Sequence, residues 1–201
     1  MNSLLSSALF TLCVLGLSGA TAADDAPVSG FYLSANVGQS SVDFGSRFKS
    51  AESLDEDDTA YEVLFGYQFE NKWSLEAGWL DIGEHGGEGS LEAVNLGLDD
   101  NFLVDASGVA EVEGVVLRVG KEFSLTENLS FTAGAGVYFW EQETRWNIGG
   151  TLSRQTTRDE DLVFGLGLDY KIAPKTSVTF GWERQQLLES DRVYIGLKFN
   201  F

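Results

Sequence analysis

The sequence predicts an all-β protein, an eight-stranded antiparallel transmembrane β-barrel built as an up-and-down meander. Three features lead there. Apolar residues alternate with small or polar ones in about eight separate stretches. The bulky face of each stretch is nearly pure Phe, Leu, Val, Ile and Trp, while the other face is rich in Gly, Ser, Thr and Asn. The connections alternate between short and long. A narrow barrel of this strand number has room inside for small side chains and little more. The bulky face therefore points outward, where water would not tolerate so wide an apolar surface and a bilayer would. A soluble ligand-binding barrel would need that outward parity to be polar.

The first stretch runs from Gly30 to Ser40, with Phe31, Leu33, Ala35 and Val37 on the outward face. The second, Thr59 to Phe69, turns out Tyr61, Val63, Phe65, Tyr67 and Phe69. Glu70-Asn71-Lys72 turns the chain into a third strand carrying Trp73, Leu75, Ala77 and Trp79. The fourth presents Val115, Leu117, Val119 and Phe123, and Ser124 to Asn128 form the next short turn. The fifth holds Leu129, Phe131, Ala133, Ala135, Val137 and Phe139, and the sixth Leu162, Phe164, Leu166, Leu168 and Tyr170. Lys171 to Lys175 is the third short turn, and Val178, Phe180 and Trp182 mark the seventh strand. The last is Val193, Ile195, Leu197, Phe199 and Phe201. Longer loops are expected after Ser40, Ile82, Trp140 and Arg184. Aromatic residues gather at both ends of the outward face, as the two girdles at a membrane's interfaces do. Lys121 breaks the outward pattern beside a turn, where its long stem can snorkel to the interface.

Ahead of the strands, Leu4 to Leu17 is almost wholly apolar and leads to Ala20-Thr21-Ala22. This reads as an export signal over residues 1–22, leaving the barrel domain as 23–201. The leader carries no Lys or Arg before its apolar run. Cys13, the sole cysteine, falls within it after Leu12, so a lipoprotein signal is not expected and the exported chain has no disulfide.

The charge, 13 Lys and Arg against 31 Asp and Glu for a net −18, excludes bulk electrostatic binding of nucleic acid. On the inward parity stand Glu62, Glu76, Arg118, Glu122, Asp169, Glu183, Arg192 and Lys198. Charges in a narrow interior are costly unless paired, so ion pairs filling the lumen are expected, with Arg118 meeting Glu76 or a carboxylate nearby. The alternative for the same residues is a gated, narrow, porin-like channel. The first two long loops are acidic, with Asp43, Glu52 and Asp55 to Asp58 in one and Glu84, Glu88, Glu92, Asp99, Asp100 and Asp105 in the other. Divalent cations could bridge them to phosphate, but no loop has the spacing of a metal site, and neither metal nor cofactor is expected. The third loop differs, with Arg145, Arg154, Arg158 and an exposed Trp146, and it is the candidate for contact with phosphate or a surface partner. His85 lies near Ser90 and Glu84 in a Gly-rich segment expected to be mobile, a poor setting for a catalytic base. No catalytic residue is assigned.

The runs Asp58-Thr59-Ala60-Tyr61 through Phe65-Gly66-Tyr67-Gln68-Phe69, Leu75-Glu76-Ala77-Gly78-Trp79-Leu80-Asp81-Ile82-Gly83 and Gly134-Ala135-Gly136-Val137-Tyr138-Phe139-Trp140 resemble the small outer-membrane barrels of the OmpA-like and OmpX-like superfamily. The C-terminus, Tyr194, Ile195, Leu197, Phe199 and Phe201, resembles that superfamily's assembly signal. The resemblance implies residence in the outer membrane of a Gram-negative-type cell and recognition by the barrel-assembly machinery. It further implies a monomer surrounded by outer-membrane lipid and lipopolysaccharide, with a structural or surface-interaction role. No cell-wall-binding domain follows Phe201, so anchoring to the cell wall is not expected.

Overall fold

The computed structural model describes residues 29–42, 50–55, 57–92, 103–148 and 150–201. The expected leader, Asp43, Glu56, Asp99 and Asp100 lie outside the described residues. The strands are β1 (Gly30–Val42), β2 (Ser50–Asp55), β3 (Asp57–Gln68), β4 (Trp73–Glu92), β5 (Leu103–Ser124), β6 (Leu129–Ile148), β7 (Thr151–Ala173), β8 (Thr176–Gln185) and β9 (Ser190–Asn200). All pairings are antiparallel. β1 pairs β3 and β9, and the series runs on through β8, β7, β6 and β5 until β5 closes on β4. β2 continues the line of β3, since Ser74 to Asp81 of β4 pair with β3 and Gly86 to Ser90 pair with β2. The barrel proper therefore has eight strands, and closure leaves every strand partnered on both sides across the bilayer.

Side-chain direction follows the alternation. Phe65, Leu117, Phe164 and Leu197 are 52%, 48%, 45% and 42% exposed on the outer face, values that only a lipid surrounding accommodates. The interior holds small residues where large ones approach. Tyr32 lies across Gly66, and Tyr194 across Gly181, so closely that a side chain at either glycine would collide with the ring. Lys121 meets the carbonyl of Asn71, with its ammonium 5.4 Å from the Trp73 ring.

Strand length departs from the sequence expectation. The loops expected after Ile82 and Trp140 are largely strand: β4 and β5 pair outward as far as Glu92 and Leu103, and β6 and β7 as far as Ile148 and Thr151. Above the lipid both faces of a ribbon meet water, so the apolar alternation that marks a strand disappears while the hydrogen-bonded ladder continues. The long connection expected after Arg184 is instead a tight turn between Gln185 and Ser190. Buried Asp161 holds it, accepting the backbone N–H of Leu187 at 2.8 Å and of Leu188 at 3.0 Å. Among the described residues the rim is thus low over β8 and β9 and tall over β4 to β7.

Candidate functional site

The lumen is filled in two layers. Toward the long ribbons an apolar stopper is formed by Leu80, Ile82, Tyr138 and Val163, members of a cluster against which Leu188 of the β8–β9 turn packs, while Leu64 and Val116 of the same cluster lie a step nearer the short turns than Leu80. The Tyr138 hydroxyl donates to the carbonyl of Leu80 at 3.0 Å. Toward the short turns lies a ring of charge. Arg118 from β5 contacts Glu62 of β3 and stands 2.7 Å from Glu183 of β8. Arg192 of β9 is 3.0 Å from Glu62 and 3.3 Å from Glu183. Each guanidinium therefore touches both carboxylates, and the four charges sum to zero with their side chains almost wholly enclosed. Asn36 donates to Glu62 at 2.7 Å and Gln185 to Glu183 at 2.8 Å, using remaining carboxylate lone pairs. The Arg192 guanidinium lies 4.7 Å from the centre of the Tyr194 ring.

The register places Glu76 directly across from Arg118, yet the two are 3.9 Å apart and Arg118 reaches further, to Glu62 and Glu183. Glu76 instead accepts the Tyr32 hydroxyl at 2.5 Å. Below the ring a polar cavity of about 80 Å³ is lined by Tyr32, Glu76, Arg118, Thr132, Asp169 and Lys198, among others. Asp169 accepts Thr179 at 2.6 Å and stands 3.9 Å from Lys198. Glu122 accepts Gln68 at 2.8 Å and Ser130 at 3.0 Å. Arg192, between Asp191 and Val193, completes the ring through cross-lumen reach, and strand alternation was the signal that put it inside.

The outer ribbons bring together residues that the sequence assigned to separate loops. Arg145 stands 3.2 Å from Glu84, 3.6 Å from Glu111 and 3.8 Å from Glu143. Arg154 meets Glu143, and Arg158 lies 2.6 Å from Glu141. All three arginines are on paired strands rather than in a loop, and each is engaged by glutamate. Trp146, expected to be exposed, is half-buried with its ring over Gly108, because strand parity turns it inward. From Thr151 to Glu160, β7 is exposed on both faces.

His85 lies on β4 rather than in a loop and is buried, with Nε2 3.1 Å from the Ser40 hydroxyl, which in turn donates to the carbonyl of Ile82. Glu84 faces the other side of the strand, where it accepts Arg145 at 3.2 Å, so the two neighbours in sequence do not act together. Among the described residues no group of His, Cys, Asp and Glu is arranged to hold a metal ion.

Asp81 lies above Trp79 on the outer face, beyond the apolar band. Partial burial pushes its carboxyl up to about 6, with Glu113, Glu111 and Asp58 adding repulsion against a hydrogen bond from Gly83 that works the other way. Glu111 nearby is also raised, first by burial and then by Glu84. The folded state thus holds the Asp81 proton more tightly than the unfolded chain. The contribution of this group to stability is fully present below about pH 4 and is lost as pH rises through about 6. Asp81→Asn, which keeps the acceptor for Gly83, is expected to unfold like the parent at pH 4. At pH 8 it should be more stable by about 1 kcal/mol, the shift being discounted for solvent screening. Urea midpoints in bilayers at the two pH values check this, and equal differences at both would refute it.

A closed antiparallel barrel with an apolar belt, an ion-paired interior and ribbons at one end is a transmembrane β-barrel of the bacterial outer-membrane type. The sequence matches the OmpA-like transmembrane domain over residues 26–185, and the chain belongs to that family. Among solved structures, Ail, the attachment invasion locus protein of Yersinia pestis, is similar at 16% identity with a TM-score of 0.53, covering 87% of this chain and 100% of that one. Neisserial surface protein A is similar at 14% identity with a TM-score of 0.52, covering 86% and 98%. These likenesses show the fold. Comparison with curated protein sequences finds no match. The family places the short turns on the periplasmic side and the ribbons outside.

Proposed function

We propose that this chain is a monomeric structural barrel of the outer membrane whose work is done at the cell surface by its ribbons. In this reading residues 1–22 direct export, 23–201 form the barrel, and the C-terminal strand with Ile195, Leu197, Phe199 and Phe201 is read by the barrel-assembly machinery. The observation that carries the proposal is the doubly closed lumen, an apolar stopper above a neutral ring of buried ion pairs. With these side chains filling the lumen among the described residues, the extended part of the molecule is its outer sheet. There Arg145, Arg154 and Arg158 stand among glutamates at the height of lipopolysaccharide phosphates, which the arginines attract directly and the carboxylates through bridging divalent cations. Ail has been solved with the heparin analogue sucrose octasulfate, a polyanion. That supports a surface role for a fold of this kind.

The test has two arms. Pure refolded protein in planar bilayers is expected to give no stable single-channel steps, and reproducible large steps would favour the channel alternative. Shortening the β6–β7 ribbon by removing Glu143 to Thr156 is expected to leave the heat-dependent gel shift of a closed barrel intact. The same deletion should reduce co-sedimentation of proteoliposomes with lipopolysaccharide several-fold, and undiminished binding would sink the surface reading.

A further inference from the structure

The upper half of β7 has a neighbour on one side only. It pairs with β6 from Thr151 onward, whereas β8 pairs with it only from Val163, because β8 ends at Gln185 and the chain turns back. Above that turn no described residue pairs with the other edge of β7. Gln186 donates its N–H to the carbonyl of Leu162 at 3.1 Å, so the backbone groups of Leu162 face that edge. Alternation turns those of Leu152, Arg154, Thr156 and Arg158 the same way, and those of Ser153, Gln155 and Thr157 toward β6. Among the described residues the N–H groups of the first four meet no acceptor. Sheets usually guard such an edge with Lys, Pro or a bulge. From Thr151 to Leu162 there is no Lys, Pro or Gly, and the register with β6 is unbroken. Arg154 and Arg158 are drawn onto Glu143 and Glu141 of β6, away from the edge. At the lower end Asp159 accepts the N–H of Glu160 at 2.9 Å and closes the edge there. Among the described residues neither of these two carboxylates meets a cation.

We infer that this edge takes up an extended, cationic segment of a partner polypeptide as an added antiparallel strand. The segment lies above the β8–β9 turn in the line of β8, and its backbone meets the free groups of Leu152 to Arg158. Its charge follows from the lower end of the edge. Asp159 and Glu160 are consecutive and exposed on opposite faces of β7, so two adjacent Lys or Arg in the partner strand meet one carboxylate each. Further up, the two arginines are already neutralised, and positions beside Thr156 and Thr157 suit small or β-branched side chains. The net charge of −18 draws a cationic segment in and turns acidic ones away. This rests on the surface role proposed for the ribbons and gives that role a class of partner.

The experiment uses the full refolded chain in lipid nanodiscs and a synthetic peptide with two N-terminal lysines followed by alternating threonine and valine, long enough to span Leu152 to Glu160. Amide exchange is followed residue by residue by NMR. In the free chain the amides of Arg154, Thr156 and Arg158 are expected to exchange quickly, and those of Ser153, Gln155 and Thr157 slowly. The peptide should slow the first set by at least about ten-fold, as closing a ladder does. A peptide with glutamates in place of the lysines should slow them little, and so should the lysine peptide N-methylated on the amides that face β7. Thr156→Pro removes one free donor and no bond to β6, so it should keep the gel shift of a closed barrel and lose most of the protection. If that variant does not fold, the N-methylated peptide on the parent chain makes the same test. The inference is overturned by Arg154, Thr156 and Arg158 amides that are already slow in the free chain, or by no slowing with the lysine peptide. Equal slowing with either control peptide, or full protection in folded Thr156→Pro, overturns it too. If lipopolysaccharide co-sedimentation still depends on the ribbon while no amide slows, this inference falls alone and the surface role stands.

Discussion

Replacing Arg192 by methionine is expected to lower the unfolding free energy by about 3–5 kcal/mol, the cost typical of removing one partner from a buried ionic network. Arg192 is fully buried and bridges Glu62 and Glu183. Without it, two enclosed carboxylates share the single guanidinium of Arg118, and one negative charge is left uncompensated. The size of the effect comes from that stranded charge and not from the worth of the bonds lost. Adding Glu183→Gln should therefore recover a measurable part of the stability, since it restores neutrality with one pair fewer. A coupling of about 1–3 kcal/mol between the two positions is expected from a double-mutant cycle. Urea unfolding in lipid vesicles, followed by tryptophan fluorescence, measures all three variants. A change below about 0.5 kcal/mol for Arg192→Met would show that the ring contributes no more than an ordinary surface contact. Neither variant is expected to conduct, because Leu80, Ile82, Tyr138 and Val163 still close the lumen above the ring.

Leu117→Arg should cost about 2–4 kcal/mol, the penalty for a cation on the lipid face of a barrel near the bilayer midplane. Leu117 pairs with Ala77 and Val137, projects outward, and lies between the girdle residue Phe123 and the acidic Glu113 on the same face of β5. Glu113→Arg, on the same strand but above the apolar band, should bring no loss of stability, since it also relieves the repulsion on Asp81. The contrast between the two sites measures the membrane itself. Equal, small effects would mean that the apolar face does not meet hydrocarbon, and the whole assignment would fail with it.

The barrel was legible because its two environments impose opposite demands on neighbouring residues. Phe65 and Leu64 are adjacent, and one meets lipid while the other fills the lumen. Alternation of that kind survives in the linear chain, so strand positions, the two girdles and the inward parity of Glu62, Glu76, Arg118 and Glu183 were all readable. Where only one environment exists the signal fades. Gln155 and Thr156 are strand residues with water on both faces, and nothing in their order distinguishes them from loop. The same lack of contrast concealed the inward turn of Trp146 onto Gly108 and made Gly83 to Gly89 look mobile around a histidine that is in fact enclosed.

The sequence by itself determined which residues face oil and which face the lumen, since side-chain parity along a strand is a local property of the backbone. Partner choice was decided only in three dimensions. Glu76 is the cross-strand neighbour of Arg118, yet Arg118 grips Glu62 and Glu183 across the lumen while Glu76 takes the Tyr32 hydroxyl. Closing the sheet brings distant strands within one side chain's length of each other, and a long guanidinium answers to that distance rather than to its place in the chain.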